Sequence, residues 1–197
     1  MSDTTIAVII PAFQVEDLIL EAVRSVHAQT YADWQVWVVS DDLVDYERLL
    51  SGHGLLDSRF HFRATGAVGA GASHARNLAL DATTSRYVAI LDADDRMKPG
   101  KLAAAYAALA EQPIVSSALD VMDAGYRRLR LVGAGPDRLL TPASYKFTSL
   151  SMDSMIVWDR TRCDARYDTT LTNMTDLELL MQLWRTAETV HHLGAPL

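Results

Sequence analysis

The sequence predicts an α/β fold, a single domain built on a Rossmann-like, mixed and mainly parallel sheet flanked by helices. Short apolar runs of strand length alternate with helical patterns through the first half of the chain, which is typical of βαβ units. Two of these runs end in acidic residues, at the strand ends where open α/β sheets bind ligands. The 197 residues suffice for one such domain but are too few for two.

The elements follow from the spacing of apolar residues and from the positions of glycine and proline. In the first half, strands are predicted at 6–12, 35–39, 59–63 and 86–91, and helices at 15–29, 73–81 and 101–111. Shorter pieces follow, with strands at 113–122, 127–132 and 154–158 and a final helix at 176–186. No linker separates residues 1–112 from residues 113–197, so we expect two halves of one domain.

Composition excludes several classes of protein. The net charge of -7 disfavours a nucleic-acid partner, which would require clustered Lys and Arg. Cys163 is the only cysteine, so no internal disulfide or cysteine-built zinc site is possible, which suits a reducing cytoplasm. No basic leader or transmembrane segment is predicted, and peripheral membrane contact is left open. The last four residues read like the middle of a fold, which suggests a truncated chain.

An acidic cluster, Asp92-Ala93-Asp94-Asp95, follows the fourth predicted strand. Carboxylate oxygens are the ligands that magnesium and manganese prefer, and substrate phosphates commonly complete the shell. The cluster therefore suits a divalent cation held against a diphosphate. The alternative is an ordinary polar turn, since aspartate is common in turns.

A second acidic pair, Asp41-Asp42, ends the second predicted strand and should open on the same sheet edge. A carboxylate there can accept a hydrogen bond from the imide of a pyrimidine base, or it can simply shape a turn. Arg76 lies near the start of a helix after a glycine-bearing loop, where it can meet phosphate or be a solvated charge. That loop lacks the third glycine of a dinucleotide fingerprint, and the chain has no P-loop.

Five segments together carry a resemblance to a known family. In order they are 8–13 (VIIPAF), 25–30 (SVHAQT), 38–42 (VVSDD), 75–77 (ARN) and 87–95 (YVAILDADD). Each is ordinary alone, but their order and spacing resemble family 2 glycosyltransferases of the GT-A fold. The resemblance implies an inverting transfer from a nucleoside-diphosphate sugar, expected to be a uridine one, to a hydroxyl of an unknown glycan, lipid or small molecule. It makes residues 1–112 the donor half and residues 113–197 the acceptor half.

The resemblance also assigns roles to residues. Asp94 is the preferred ligand of Mn²⁺ or Mg²⁺, with Asp92 and Asp95 as further metal contacts. Asp42 is the preferred base contact within a nucleotide pocket that comprises Pro11, Phe13, Asp41, Asp42, Arg76 and Asp92. The sequence departs from the family at Leu43-Val44, where glycine and serine are common, and this puts the shape of the loop in question.

Asp176 is the expected catalytic base, since the family places an acid there to deprotonate the acceptor. The usual preceding Glu is Thr175 here, a second departure. Thr175 and Glu178 also have the spacing of a capping box, so the alternative is that Asp176 is only a first-turn acid.

Two other functions remain open at this stage. One is a binding module that keeps the donor pocket but has weak or no turnover. The other is a nucleotidyltransferase, although residues 14–17 lack the glycine and lysine that such enzymes carry after the first strand.

Trp158 is a weak candidate for sugar stacking. The adjacent His191 and His192 are interpreted as structural or surface residues, because neighbours on a strand face opposite sides and so cannot easily bind one metal ion.

Overall fold

The computed structural model describes residues 4–145 and 153–197. The strands in these ranges are β1 (Ile6–Ala12), β2 (Trp34–Ser40), β3 (Phe60–Ala64), β4 (Tyr87–Ile90), β5 (Ile114–Met122), β6 (Arg128–Val132), β7 (Arg138–Leu140), β8 (Ile156–Asp159) and β9 (Val190–Pro196). The helices are α1 (Ile19–His27), α2 (Tyr46–Gly52), α3 (Ala72–Ala82), α4 (Lys101–Leu109), α5 (Pro142–Tyr145) and α6 (Thr175–Leu183), and a 3-10 turn spans Asp153–Met155. None of the described helices is long and apolar enough to span a bilayer.

The strands form one mixed sheet. Their order is β3-β2-β1-β4-β8-β5-β9-β7, and β6 pairs with β5 outside this path. Strands β1 to β4 run parallel, so their carboxyl ends share one edge. Strand β8 is antiparallel to β4 and β5, whereas β9 is parallel to β5. The predicted α/β class with a Rossmann-like mixed sheet is confirmed.

The central strands are buried on both faces. Ile6, Val8 and Ile10 of β1 belong to a core cluster that includes α1 and α4. Ala7 and Ile9 belong to a second cluster that includes α3 and α6. Because successive side chains point to opposite faces, a strand covered on both sides is apolar throughout, as the run at 6–12 predicted. The second cluster draws residues from both predicted halves of the chain.

Helix α1 is shorter than predicted, because Val15–Leu18 forms a turn before it and Gln29 lies beyond its end. The N–H groups of Leu18 and Ile19 both donate to the carbonyl of Val15. The side chain of Gln29 is buried and donates from Nε2 to the carbonyls of Ser25 and Lys98, at 3.1 and 2.9 Å.

Gln29 also fixes the start of α4. Its Oε1 accepts a hydrogen bond from the N–H of Leu102 at 3.0 Å. Nearby, the Oγ of Ser25 accepts from the N–H of Met97 at 3.1 Å. The segment between β4 and α4, which contains the acidic cluster, is therefore anchored to the end of α1.

Several elements were not predicted. Helix α2 is short, and its start is capped by Asp45, whose carboxylate accepts from the N–H of Arg48 at 2.9 Å. Strands β7 and β9 form the far end of the sheet. Their pairing depends on residues far apart in the chain, so local periodicity carries little sign of it.

The histidine pair lies in β9, and its structural interpretation holds for His192. This side chain is fully buried between the Oγ of Ser116, at 2.8 Å from Nδ1, and the carbonyl of Gly133, at 2.7 Å from Nε2. Burial lowers the pKa of His192 and so disfavours its charged form. His191 is half-buried.

Burial makes two other side chains unsuited to a role in ligand binding or catalysis. Trp158 in β8 is fully buried, so the sugar-stacking hypothesis for it is wrong. Cys163 is buried too, and burial, reinforced by Asp159, raises its thiol pKa to about 12. A thiol with that pKa is a poor nucleophile.

Gly194 tests the packing of β9. A Cβ atom there would lie 1.7 Å from the carbonyl oxygen of Gly135 and 2.5 Å from its carbonyl carbon. Backbone cannot yield as a flexible side chain can, so Gly194→Ala should lower the free energy of unfolding by about 1–3 kcal/mol. Urea denaturation measures the change. Gly52→Ala is the matched control, because nothing lies within 4 Å of its Cβ position. Equal midpoints for the two variants would contradict this packing.

Candidate active site

The acidic cluster is both a turn and an exposed group of carboxylates. The N–H of Asp95 donates to the carbonyl of Asp92 at 3.0 Å, which closes the turn directly after β4. Ala93 is buried beneath it. Asp94 is exposed, and it makes no hydrogen bond or ion pair with any described residue. Its carboxylate oxygens are therefore available to a ligand.

Negative charge is crowded in this turn. Partial burial of the carboxyl, together with the charges of Asp92 and Asp94, raises the pKa of Asp95 to about 6. Lys101 lies buried nearby and donates from Nζ to the carbonyl of Ser154 at 2.5 Å. Burial lowers the pKa of Lys101 to about 8, an effect that Asp95 opposes. The buried Lys101 therefore offsets part of the negative charge at Asp95.

Arg76 and Asp92 are brought together by the fold. Nη2 of Arg76 lies 2.6 Å from Oδ1 of Asp92. The side chain of Arg76 is 8% exposed and that of Asp92 is 35% exposed, so the pair is anchored inside and reaches the surface on the aspartate side. The alternative that Arg76 is a solvated helix charge is therefore wrong. Its guanidinium carbon also lies 5.1 Å from the ring centroid of Tyr167.

Asn77, the next residue along α3, binds the second half of the chain. Its Nδ2 donates to the carbonyl of Tyr167 at 2.8 Å, and its Oδ1 accepts from the N–H of Tyr167 at 2.9 Å. This pairing attaches the segment that leads into α6 to the helix that carries Arg76. Neither Asn77 nor Tyr167 had a role predicted from sequence, although Asn77 stood within the segment 75–77.

Asp41 organises the loop between β3 and α3. Its Oδ1 accepts from the Oγ1 of Thr65 and the N–H of Ala70, at 2.8 and 2.9 Å. Its Oδ2 accepts from the N–H of Gly71 at 2.8 Å. Gly69 and Gly71 have φ angles of +74° and +103°, which glycine adopts without steric cost. The glycines thus let the loop turn its N–H groups toward one buried carboxylate.

Asp42 is engaged by more donors than Asp41. Its Oδ1 accepts from the Oγ of Ser40 and the N–H of Val44, and its Oδ2 accepts from the N–H of Gln14 and the hydroxyl of Tyr46. Although burial acts to raise it, the pKa of Asp42 is held below its usual value by these hydrogen bonds. A carboxylate has about four acceptor positions. All are filled at Asp42, whereas one stays open on Oδ2 of Asp41.

The remaining predicted pocket residues lie at the end of β1. Pro11 is half-buried and pairs with Val39 of β2. Phe13 is 42% exposed, and its ring edge lies 3.9 Å from the position of a Cβ atom at Gly69. An exposed aromatic ring therefore stands beside the loop that Asp41 organises.

Asp176 occupies the first turn of α6 without a capping box. The helix begins at Thr175, its N-cap is Met174, and no side chain caps the first turn. Glu178 instead accepts from Nε2 of Gln182, at 2.7 and 2.8 Å. The capping box of Thr175 and Glu178 is therefore not formed, but Asp176 does lie in the first turn, so the alternative that it is only a first-turn acid stays open. Asp176 is half-buried, and its Oδ1 accepts from the N–H of Leu177 at 2.8 Å.

The comparison with protein families decides the classification. A family model described as glycosyl transferase family 2 matches residues 7–151, most of the chain. The chain belongs to glycosyl transferase family 2. The five segments that carry the resemblance lie within this match, and so do Arg76 and the acidic cluster.

Curated relatives of this family 2 chain match about half of it. An Escherichia coli protein named UDP-Glc:alpha-D-GlcNAc-diphosphoundecaprenol beta-1,3-glucosyltransferase is 36% identical over 102 residues, which are 52% of this chain and 40% of the relative. The amylovoran biosynthesis glycosyltransferase AmsB of Erwinia amylovora is 31% identical over 107 residues, 52% of this chain and 35% of its own length. The chain thus spans well under half the length of these relatives.

Solved structures agree on the fold. The Staphylococcus aureus TarS 1-349 structure in complex with UDP superposes with a TM-score of 0.80 at 18% identity, covering 96% of this chain and 58% of that one. The PcManGT mannosyltransferase from Pyrobaculum calidifontis, in complex with GDP-Man and Mn²⁺, gives 0.66 at 19% identity, with 97% and 54% covered. At these identities the likeness establishes the GT-A architecture only.

The fit of a divalent cation to this family 2 chain depends on few protein ligands. Among the described residues, no group of three or more His, Cys, Asp or Glu is arranged to hold a metal ion. Asp92 is engaged by Arg76, so the expected trio of Asp92, Asp94 and Asp95 is not a preformed cage. Magnesium needs only one or two protein carboxylates when substrate phosphates share its shell. The exposed Asp94, with Asp95 beside it, fits that arrangement.

Backbone strain is concentrated beside the candidate residues. In the described ranges, the non-glycine residues with positive φ are Gln14, Leu43, Tyr126 and Met174. Gln14 follows Phe13, Leu43 follows Asp42, and Met174 precedes α6. Such conformations persist only where surrounding structure enforces them, and they concentrate at functional sites.

The first departure from the family pattern, Leu43, can be understood from its backbone conformation. Its φ is +65°, a conformation in which glycine has no steric penalty. The hydrogen bonds of Asp42 maintain the loop although leucine stands where the family commonly has glycine.

We expect Leu43→Gly to stabilise the protein. Relief of a left-handed leucine is worth about 1–2 kcal/mol, and the added freedom of the unfolded chain offsets about 0.5–1 kcal/mol of it. The net gain should be about 0.5–1 kcal/mol in urea denaturation. Leu139→Gly is the matched control, an exposed leucine in β7 without positive φ, and it should be destabilised. A loss of stability in Leu43→Gly equal to that of the control would exclude the left-handed conformation.

Proposed function

We propose that this chain forms the donor-binding and catalytic part of an inverting, metal-dependent transferase that moves a sugar from a UDP-sugar to an acceptor hydroxyl. The observation that carries the proposal is the double attachment of α3. Arg76 is paired with Asp92 at the end of β4, and Asn77 is paired with Tyr167 before α6. One helix therefore joins the acidic cluster to the segment that presents Asp176.

The uridine base is assigned to the ends of β1 and β2. The imide N–H of uracil needs an acceptor, and the hydrogen-bond count favours Asp41 over the Asp42 expected from sequence, because only Asp41 retains an open acceptor position. The exposed ring of Phe13 offers a surface for stacking beside it. UDP in a complex of TarS supports the choice of nucleotide.

The diphosphate is assigned to the acidic turn. A bound Mn²⁺ or Mg²⁺ ion would neutralise charge on the diphosphate as it leaves. Asp94, assisted by Asp95, would hold that ion, while the Arg76 ion pair keeps Asp92 in place next to them. The complex of PcManGT with GDP-Man and Mn²⁺ supports metal use in this fold.

Asp176 is proposed as the general base. Its carboxylate would take the proton of the acceptor hydroxyl as the acceptor oxygen bonds to the anomeric carbon. Attack from the face opposite the nucleotide breaks the bond from that carbon to the phosphate oxygen, and UDP leaves with the electron pair. The configuration at the anomeric carbon is thereby inverted.

The proposed acceptor is a hydroxyl of a glycan, a lipid or a small molecule. The name of the Escherichia coli relative specifies a lipid-linked sugar, which makes that class the first to assay.

The second candidate function is a donor-binding module without turnover. It is motivated by Thr175, which replaces the usual acid, and by Oδ1 of Asp176, which accepts a hydrogen bond from its own helix.

Asp94→Ala tests the metal site. The variant should bind UDP with the same affinity whether or not manganese is present, because the ligand that couples the two is gone. Stability should stay within about 0.5 kcal/mol, since the side chain is exposed and unpartnered among the described residues. Isothermal titration calorimetry measures the affinities, and Glu188→Ala, an exposed acid in another part of the chain, is the control. Manganese-enhanced UDP binding that survives in Asp94→Ala would move the metal site elsewhere.

Asp176→Asn tests the base. Loss of a general base should lower kcat about 10²- to 10⁴-fold while the KM for the donor changes little. The assay follows UDP released from a panel of UDP-sugars, with water as the default acceptor. Glu188→Gln should match the wild type. Metal-dependent UDP binding without turnover in either the wild type or the variant would favour the binding module.

A further inference from the structure

The outer half of the β5–β6 hairpin, residues 122–131, is exposed to solvent on both faces. Every residue from Arg128 to Leu131 is exposed, in contrast to the fully buried β2. Leu129 is 61% exposed and Leu131 is 42% exposed. Met122 and Tyr126, also on this hairpin, are exposed as well. Exposed apolar side chains gathered on one element mark an interaction surface.

The β6 side of the hairpin is basic, although the chain as a whole has a net charge of -7 and β5 contributes Asp120 and the turn Asp123. Arg127, Arg128 and Arg130 alternate closely with the two leucines. Arg127 and Arg128 form ion pairs with Asp123 and Asp120, at 3.2 and 3.5 Å, but the arginine side chains are 82% and 60% exposed. Exposed pairs of this kind are weak and readily exchanged. Arg130 has no ion pair with any described residue.

We infer that this hairpin docks the chain on an anionic lipid surface. Side chains alternate along a strand, so Leu129 and Leu131 share one face of β6 and Arg128 and Arg130 share the other. The leucine face can enter the boundary between headgroups and acyl chains, while the long arginine side chains extend from the other face toward the phosphates. A second copy of the chain fits the surface less well. Pairing β6 with itself would bring the arginines of two strands together, and charged side chains on an edge strand oppose such pairing.

Docking through the hairpin would also orient the acidic turn. Lys98 is ion-paired with Asp120 of β5. The guanidinium carbon of Arg96 lies 3.4 Å from the ring centroid of Tyr126 at the hairpin tip. Arg96 and Lys98 come just after Asp95, so the hairpin is attached to the turn. Docking of this kind does not depend on the proposed transfer reaction.

Sedimentation of the 197-residue chain with vesicles tests the inference. Vesicles of phosphatidylcholine are compared with vesicles containing about one third phosphatidylglycerol. The wild type should bind the anionic vesicles at least about tenfold more strongly, and added salt should weaken the binding. The double variant Leu129→Ser/Leu131→Ser should lose about tenfold or more in partitioning, because the buried apolar area is lost. Arg130→Glu should reduce the preference for phosphatidylglycerol.

Leu18→Ser and Arg185→Glu are the matched controls, since both residues are exposed elsewhere on the chain. The urea midpoint of each variant reports folding without reference to UDP. Equal partitioning of the wild type and the serine variant would overturn the inference, as would no binding to anionic vesicles. A wild-type dimer in light scattering that the serine variant converts to a monomer would overturn it in favour of self-association.

Discussion

The ion pair between the buried Arg76 and the partly exposed Asp92 is the interaction on which the site depends. A guanidinium that is almost entirely enclosed needs a charged partner, and loss of that partner would leave its charge buried without compensation. The pair joins α3 to Asp92, the first residue of the acidic turn after β4. It therefore holds one end of the turn that carries Asp94.

The acidic pair Asp41-Asp42 has a different structural role. Asp41 and Asp42 hold the loops after β1, β2 and β3 through seven hydrogen bonds between them. Most of these donors are backbone N–H groups, and buried N–H groups without partners are costly. The loops are therefore shaped around carboxylates. This explains how leucine can occupy a position with positive φ beside Asp42.

Much of the fold could be predicted from sequence because its signals are local. A strand buried on both faces is a continuous apolar run, and β1 matched its predicted limits for that reason. The acidic turn was found because the end of a parallel strand is a known ligand position. The enclosure of Arg76 was not predictable, since it depends on Asp92 and Tyr167, which lie 16 and 91 positions further along the chain. The open acceptor on Asp41 likewise depends on three donors in the loop between β3 and α3, which lie 24, 29 and 30 positions further along the chain. Residues in β7 and β9 were missed because their pairing is non-local.

The hydrogen bonds of Gln29 and Ser25 bear on when the acidic turn forms during folding. The hydrogen bonds from Gln29 to Lys98, from Met97 to Ser25 and from Leu102 to Gln29 span 69, 72 and 73 residues. Contacts that span this much chain require a long loop to close, and closing it costs chain entropy. The pairing of β1 with β4, which joins Ile6 to Tyr87, closes a loop of similar length and brings the partners of these hydrogen bonds close together. The turn that bears Asp94 therefore takes its native form with the assembly of the central sheet, and not from its local sequence alone.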